Sequence, residues 1–218
     1  MTATRNPVTM PLRHRLVRRL IQLHIGLILY GASAALMIEA RLGLDPWDVL
    51  HQGLSRLTGL SIGTMVIAVG FLVMLLWIPL RQRPGIGTVA NAIVIGLAVD
   101  ATLVVLPTPE WLSVRWLFLV GGIVLNGVAT GMYIGARLGP GPRDGLMTGF
   151  VARHPRLSIR LVRTAIEVTV LVIGWLLGGT VGWATLLYAL SIGPLAHVFI
   201  PLLSIRPVAA PTPALARS

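Results

Sequence analysis

The chain has 218 residues, 55% of them hydrophobic and 11% charged, with a mean hydropathy of +0.83, which excludes a soluble globular domain because only a bilayer can bury so much apolar surface in so short a chain. Its formal charge of +11 comes from arginines gathered at the ends of apolar stretches; that placement suits topology and anionic headgroups, and argues against a nucleic-acid partner. With no cysteine, disulfides, thiolate metal sites and thiol nucleophiles are also excluded.

A basic tail, 1–19, precedes the first apolar stretch. Arg13, Arg15, Arg18 and Arg19 followed by an apolar run, with Ala32-Ser33-Ala34 beyond it, imitate a signal peptide. The same run has a counterpart deep in the chain at 118–137, so it reads as a retained span. Six stretches are long and apolar enough to cross the membrane: 21–40, 61–80, 85–106, 116–136, 159–177 and 182–203. A helix needs roughly 20 residues for a hydrocarbon core of ~30 Å. A second tail, 204–218, follows. Both tails read as disordered.

The segment ALMIEARLGLDPWDVLHQG, 35–53, returns as GMYIGARLGPGPRDGLMTG, 131–149, an offset of 96 residues. One extra residue later the match resumes, Ser61-Ile62 with Ser158-Ile159, Thr88 with Thr185, and Ile95-Gly96 with Ile192-Gly193. Each copy, 20–107 and 115–203, holds three spans. An odd repeat enters the bilayer from opposite sides in its two copies, the architecture of many secondary transporters. The expected fold is an all-α membrane protein of six spans in two inverted three-helix repeats.

With the amino terminus cytoplasmic, the inside collects most of the arginines and the outside keeps only Arg41, Arg56 and Arg115. Both termini are then cytoplasmic, in a multi-pass membrane protein.

After the first span of each copy comes a short amphipathic segment, 46–58 and 142–153. Trp47, Leu50, Leu54 and Leu57 form a stripe on the first, with Asp48, His51, Gln52, Ser55 and Arg56 around the rest. At ~20 Å such a half-helix is too short to span, and it either lies at the interface or dips back into the bilayer. The motif before each is repeated: Arg41, Gly43, Pro46 and Asp48 match Arg137, Gly139, Pro142 and Asp144. As helix-end chemistry, the arginine suits the negative end of a dipole, glycine a left-handed cap, proline the first position of a new helix and aspartate its first turn. As a site, a broken helix exposes backbone donors where solutes and coupling ions bind in inverted-repeat carriers. The two readings are compatible.

Three more ionisable residues fall within spans. Asp100 and His197 share a repeat position, and Glu167 stands four residues after Arg163 on one helix face. At membrane depth such groups face a cavity or a partner. Asn91, Asn126, Tyr30 and Tyr188 are candidates to complete a hydrogen-bonded interior. Gly127, Gly131 and Gly135 form a small-residue ridge, echoed by Gly31 and Ala35, suited either to packing the first span against the fourth or to a homo-oligomer face. No paired-histidine metal motif, nucleophile elbow or phosphate loop is present, so neither an enzyme nor a cofactor is expected.

The run ARLGLDPWDVLHQG with TGLSIGT after it, and its second copy ARLGPGPRDGLMTG with SIRLVRTAIE, resembles the YczE/YitT group of bacterial membrane proteins over about residues 20–203. The resemblance implies a small multi-span protein of the cytoplasmic membrane and supplies no catalytic residues. The expected function is a permease-like carrier or exporter of an unidentified small solute. The competing reading is a non-transporting accessory, assembly or regulatory protein of the bilayer. A carrier requires a polar cavity reaching Asp100, Glu167 or His197, whereas a scaffold buries them as closed pairs.

Overall fold

The computed structural model of the protein describes residues 15–205. The disorder expected of the tails therefore falls mainly outside the described residues. Where the amino-terminal tail overlaps them it is helical: the first helix, α1, runs Leu16–Ala40, five residues longer than the apolar run implies. After it come α2, Pro46–Thr58; α3, Ile62–Leu75; α4, Trp77–Leu80; and α5, Ile86–Val105. The second half holds α6, Leu112–Gly135; α7, Pro142–Arg153; α8, Ile159–Leu176; and α9, Trp183–Leu203. The described residues contain no strand.

Five helices are long and apolar enough to cross a membrane: α1, α3 with α4, α5, α6 and α9. The remaining expected span, 159–177, folds as α8, but Arg160, Arg163 and Glu167 set it apart from the other five. The span expected at 61–80 is interrupted at Leu76, because Pro79 has no N–H to donate to the carbonyl of residue 75.

Local chemistry sets the boundaries. Ser61 and Ser158 cap α3 and α8, each accepting from the backbone N–H three residues on. Pro46 and Pro142 open the half-helices at positions whose N–H would be unsatisfied anyway. The expected glycine caps are corrected in one respect. The left-handed residue ending α1 is Arg41 itself, and after α6 it is Arg137, with φ of 52° and 55°. Gly43 and Gly139, two residues later, also have positive φ, and a side chain at Gly43 would run into Gly182.

The frame is an antiparallel pair, α1 against α6. Gly26 meets Met132 and Tyr133, and Gly122 meets Ser33 and Met37. Between these contacts Asn126 donates to Ser33 Oγ at 2.9 Å and accepts from Tyr188 at 3.2 Å. At one end Arg19 donates to the carbonyls of Ala136 and Arg137 at 2.9 and 2.7 Å. At the other Arg115, its repeat counterpart, donates to Ala40 and Arg41, both at 2.7 Å. Each guanidinium thus satisfies the last, otherwise orphaned carbonyls of the opposite helix and sits at the negative end of its dipole. Further contacts come in the same matched pairs. Gly87 N–H donates to Leu138 O and Ala184 N–H to Leu42 O, each at 3.0 Å.

The glycine ridge of α6 does not meet α1. Gly127 and Gly131 pack on Leu195 and Phe199, and Gly135 on Leu203, so the ridge seats α9. Gly31 likewise faces Ala98 and Val99 of α5. The stripe serves close backbone approach inside each repeat, and neighbouring helices of the same chain cover it, so it offers no oligomer face.

Both half-helices start in the interior and run outward to a loop. On α2, Trp47 packs with Val69, Val73, Ile166 and Val170; Gly53 lies on Gly174, and Arg56 donates to Gly178 O. On α7, Gly145 lies on the Trp77 ring, whose Nε1 donates to Pro142 O at 3.0 Å, and Gly149 lies on Gln82.

Candidate functional site

The amino termini of α2 and α7 meet. Asp45 caps α2, its Oδ1 accepting from the backbone N–H of Trp47 and Asp48 at 3.0 and 3.3 Å. That same oxygen lies 4.0 Å from Arg143 Nη1, across from the start of α7. The Arg143 guanidinium also sits over the Trp47 ring, 4.8 Å from its centroid. Asp48, in the first turn of α2, is 3.0 Å from His51 Nδ1, and both are buried, at 4% and 1% exposure. The first turns of the polar side of α2 are therefore interior, while Arg56 at its far end is exposed. Asp144, the counterpart of Asp48, accepts from the Tyr133 hydroxyl at 2.7 Å.

Two cavities of about 70 Å³ each adjoin these groups. Tyr30, Trp47, Arg143 and Asp144 line both and form the wall between them. The first extends to His51, Asn91 and Tyr133, against α3 and α5. The second extends to Asp45, Met147, Tyr188, Arg163 and Glu167, against α8 and α9. Each has room for a few water molecules, and polar atoms on several walls can hold them. Among the described residues no group of three or more His, Asp or Glu side chains converges as a metal site would require.

Of the residues singled out in the sequence, Asp144 and Glu167 line cavities, with Pro142 beside the first. Pro46 lines the second, and Asp48 stands behind the first through His51. Arg163 and Glu167 form the expected intrahelical pair at 2.8 Å. Arg41 and Arg137 remain at helix ends: Arg41 reaches Thr108 at 3.4 Å, and neither lines either of these two cavities. Gly43 and Gly139 are turn residues packed on the loops before α9 and α5. Asp100 caps α3, accepting from Ser61 Oγ at 2.6 Å and from Gly63 N–H at 2.8 Å. His197 is exposed on α9 and lines neither cavity. Asn91, Asn126, Tyr30 and Tyr188 do join the polar interior.

The sequence pattern does not single out Asp45, Arg143 or Tyr133 as site residues, and it places Trp47 only in the apolar stripe and His51 only in its polar surround. The signal that finds most of them is a difference, not a match. Within the repeated motif Asp45 stands where the second copy has Gly141, Trp47 where it has Arg143, and His51 where it has Met147. The positions that break the repeat are the ones that meet at the centre.

The chain matches the family of unknown function DUF6198 over residues 17–201. It is 41% identical over 182 residues to an uncharacterized protein of Haemophilus influenzae, covering 84% of this chain and 83% of that one. It is 32% identical to the uncharacterized membrane protein YczE of Bacillus subtilis, covering 87% and 89%. With YyaS of the same organism it shares 29% identity, covering 82% and 90%. No solved structure matches. The chain belongs to the DUF6198 family and is a YczE-like membrane protein.

Proposed function

We propose that this protein is a permease-like secondary carrier of a small polar solute, built as six spans in two inverted repeats with re-entrant half-helices. The observation that carries the reading is the meeting of two half-helix amino termini at a cluster of buried Asp45 and Trp47 with half-buried Arg143 and Asp144, flanked by cavities. Broken helices whose positive dipole ends converge near the bilayer midplane are where inverted-repeat carriers bind their solutes. The antiparallel α1–α6 pair and the matched Arg19 and Arg115 contacts support the inversion. With α8 included as the sixth span, both termini lie in the cytoplasm, α2 opens toward the outside and α7 toward the inside. A non-transporting accessory role has one observation in its favour: Asp100 is used up in a closed helix cap.

Two experiments test the reading. In a chain without cysteine, Thr58→Cys and Thr148→Cys label from opposite faces of the membrane; labelling from one face rules out the inversion. For transport, the metabolite profile of a deletion strain is compared after complementation with the parent gene or with Asp144→Asn, a replacement that keeps an acceptor for Tyr133. The parent restores the profile and the variant, inserted at equal abundance, does not. Full restoration by Asp144→Asn removes the central cluster as a solute site.

A further inference from the structure

The two repeats join their second and third long helices differently. α3 lies directly along α5: Gly63 meets Gly96, Gly70 meets Ala92, and Asp100 closes the amino terminus of α3. In the second repeat the positions of Gly63, Gly70 and Asp100 hold Arg160, Glu167 and His197. Helix backbones approach that closely only where a small residue stands at the contact. A guanidinium and a carboxylate in place of two glycines hold α8 off. It packs on α2 and α7 and is all but out of contact with α9. Gly193, the counterpart of Gly96, has open space where a side chain would stand.

The second cavity reaches the same two helices, at Arg163 and Glu167 of α8 and at Tyr188 of α9. Arg163 and Glu167 line the second cavity, yet their side chains are 47% and 28% exposed, so the same pair is both surface and cavity wall. Val66, which takes the place of Arg163 in the first repeat, is buried. Behind the pair stand Asp45, Arg143 and Asp144.

We infer that the gap between α8 and α9, open to water at the cytoplasmic end where α8 begins, is the entrance by which a small water-borne polar solute reaches the central cavities, with the Arg163–Glu167 pair at its threshold. The inference rests on the carrier reading above and adds the route. A threshold offering one cation and one anion gives hydrogen bonds to a neutral or zwitterionic solute of either orientation, whereas an apolar tail would gain nothing from it. Pro194 directly follows Gly193 and cannot donate to the helix ladder, which leaves α9 a place to bend beside the gap.

The test uses Met147→Cys, on the wall of the second cavity, in the reconstituted full chain. A small charged methanethiosulfonate reagent modifies it, and adding Gly193→Trp, which fills the gap, slows modification by about tenfold or more, as a closed lid does. Leu190→Trp, on the exposed face of α9, leaves the rate unchanged. Modification that Gly193→Trp does not slow overturns the entrance and leaves the carrier reading standing. No modification of Met147→Cys, with or without added tryptophan, overturns both, because the cluster is then sealed from water. Reaction only with a membrane-soluble maleimide overturns the water-borne route in favour of a lipid-filled gap.

Discussion

Arg143 and Trp47 hold the same position in the two repeats, and they stack on each other, guanidinium over ring at 4.8 Å. The contact brings a residue against its own counterpart in the sequence repeat. Two arginines there would repel, and two tryptophans would leave the neighbouring carboxylates without a cation. One of each makes an attractive pair, worth about 1–2 kcal/mol for a partly exposed guanidinium. It also places a single positive charge beside Asp45, whose counterpart Gly141 brings no charge of its own.

Arg143→Ala should therefore destabilise strongly. It removes the cation from over Trp47 and from beside buried Asp45, a loss of about 1–3 kcal/mol, less than for a wholly buried pair because Arg143 stays partly exposed. Arg143→Lys should recover little, because a point charge replaces a planar group that stacks and forks at once. Thermal unfolding of the purified protein in detergent reads both. An Arg143→Ala protein that melts with the parent would show that the contact contributes nothing to stability.

Asp45 has two roles that two substitutions separate. Asp45→Asn keeps an oxygen to accept from Trp47 and Asp48 N–H but gives up the charge facing Arg143. Asp45→Ala gives up the cap as well, which typically adds about 1 kcal/mol. The expected order of stability is parent, Asn, Ala. In a double-mutant cycle the Asp45→Ala and Arg143→Ala losses should fall short of additivity. Strict additivity would mean that the carboxylate acts only as a cap.

Arg19 and Arg115 should behave as a matched pair of clamps. Each spans two carbonyls at the carboxy end of the opposite helix, and a hydrogen bond to a charged group is worth about 1.5–3 kcal/mol. Arg19→Ala should cost more than Arg115→Ala, since Arg19 is fully buried and Arg115 only partly so. Lysine rescues neither fully, having no fork to reach both carbonyls. Equal, negligible losses at both positions would reduce them to surface charges of the kind that only set topology.

Much of this architecture was readable in the residues, because span length, proline at a helix start and an internal repeat are local signals. The half-helix 46–58 was legible to the residue, since Pro46 opens it and Gly59 closes it with a left-handed cap. Its placement was not legible. An amphipathic stripe says which face is apolar but not that Asp48 and His51, on the other face, will find each other and a buried wall. The glycine ridge of α6 was recognised as a close-packing surface and assigned to the wrong neighbour, because spacing reveals that a helix approaches and not which one. The central cluster escaped for a related reason. Reading for what the copies share led to Arg41 and Arg137, which end helices, and away from Asp45 and Arg143, which differ between copies and meet.

The unequal packing of the two repeats makes a last, sharply directional prediction at three glycines. A methyl group on Gly63 collides with the carbonyl oxygen of Gly96 and the Asp100 carboxylate, and one on Gly96 collides with Gly63 O. In each case the nearest atom is a backbone oxygen, which cannot swing aside as the Asp100 and Ile67 side chains beside it could. Gly63→Ala and Gly96→Ala should therefore each lower stability by about 1–3 kcal/mol, the range for overpacked interiors. Gly193→Ala, at the position equivalent to Gly96, meets nothing within reach and trades a poor helix former for the best one. Its effect should be neutral or favourable, up to about 1 kcal/mol. Melting temperatures of the three proteins in one detergent decide the matter. If Gly193→Ala destabilises as much as Gly96→Ala, α8 and α9 close on each other as α3 and α5 do, and the gap between them does not exist in the folded protein.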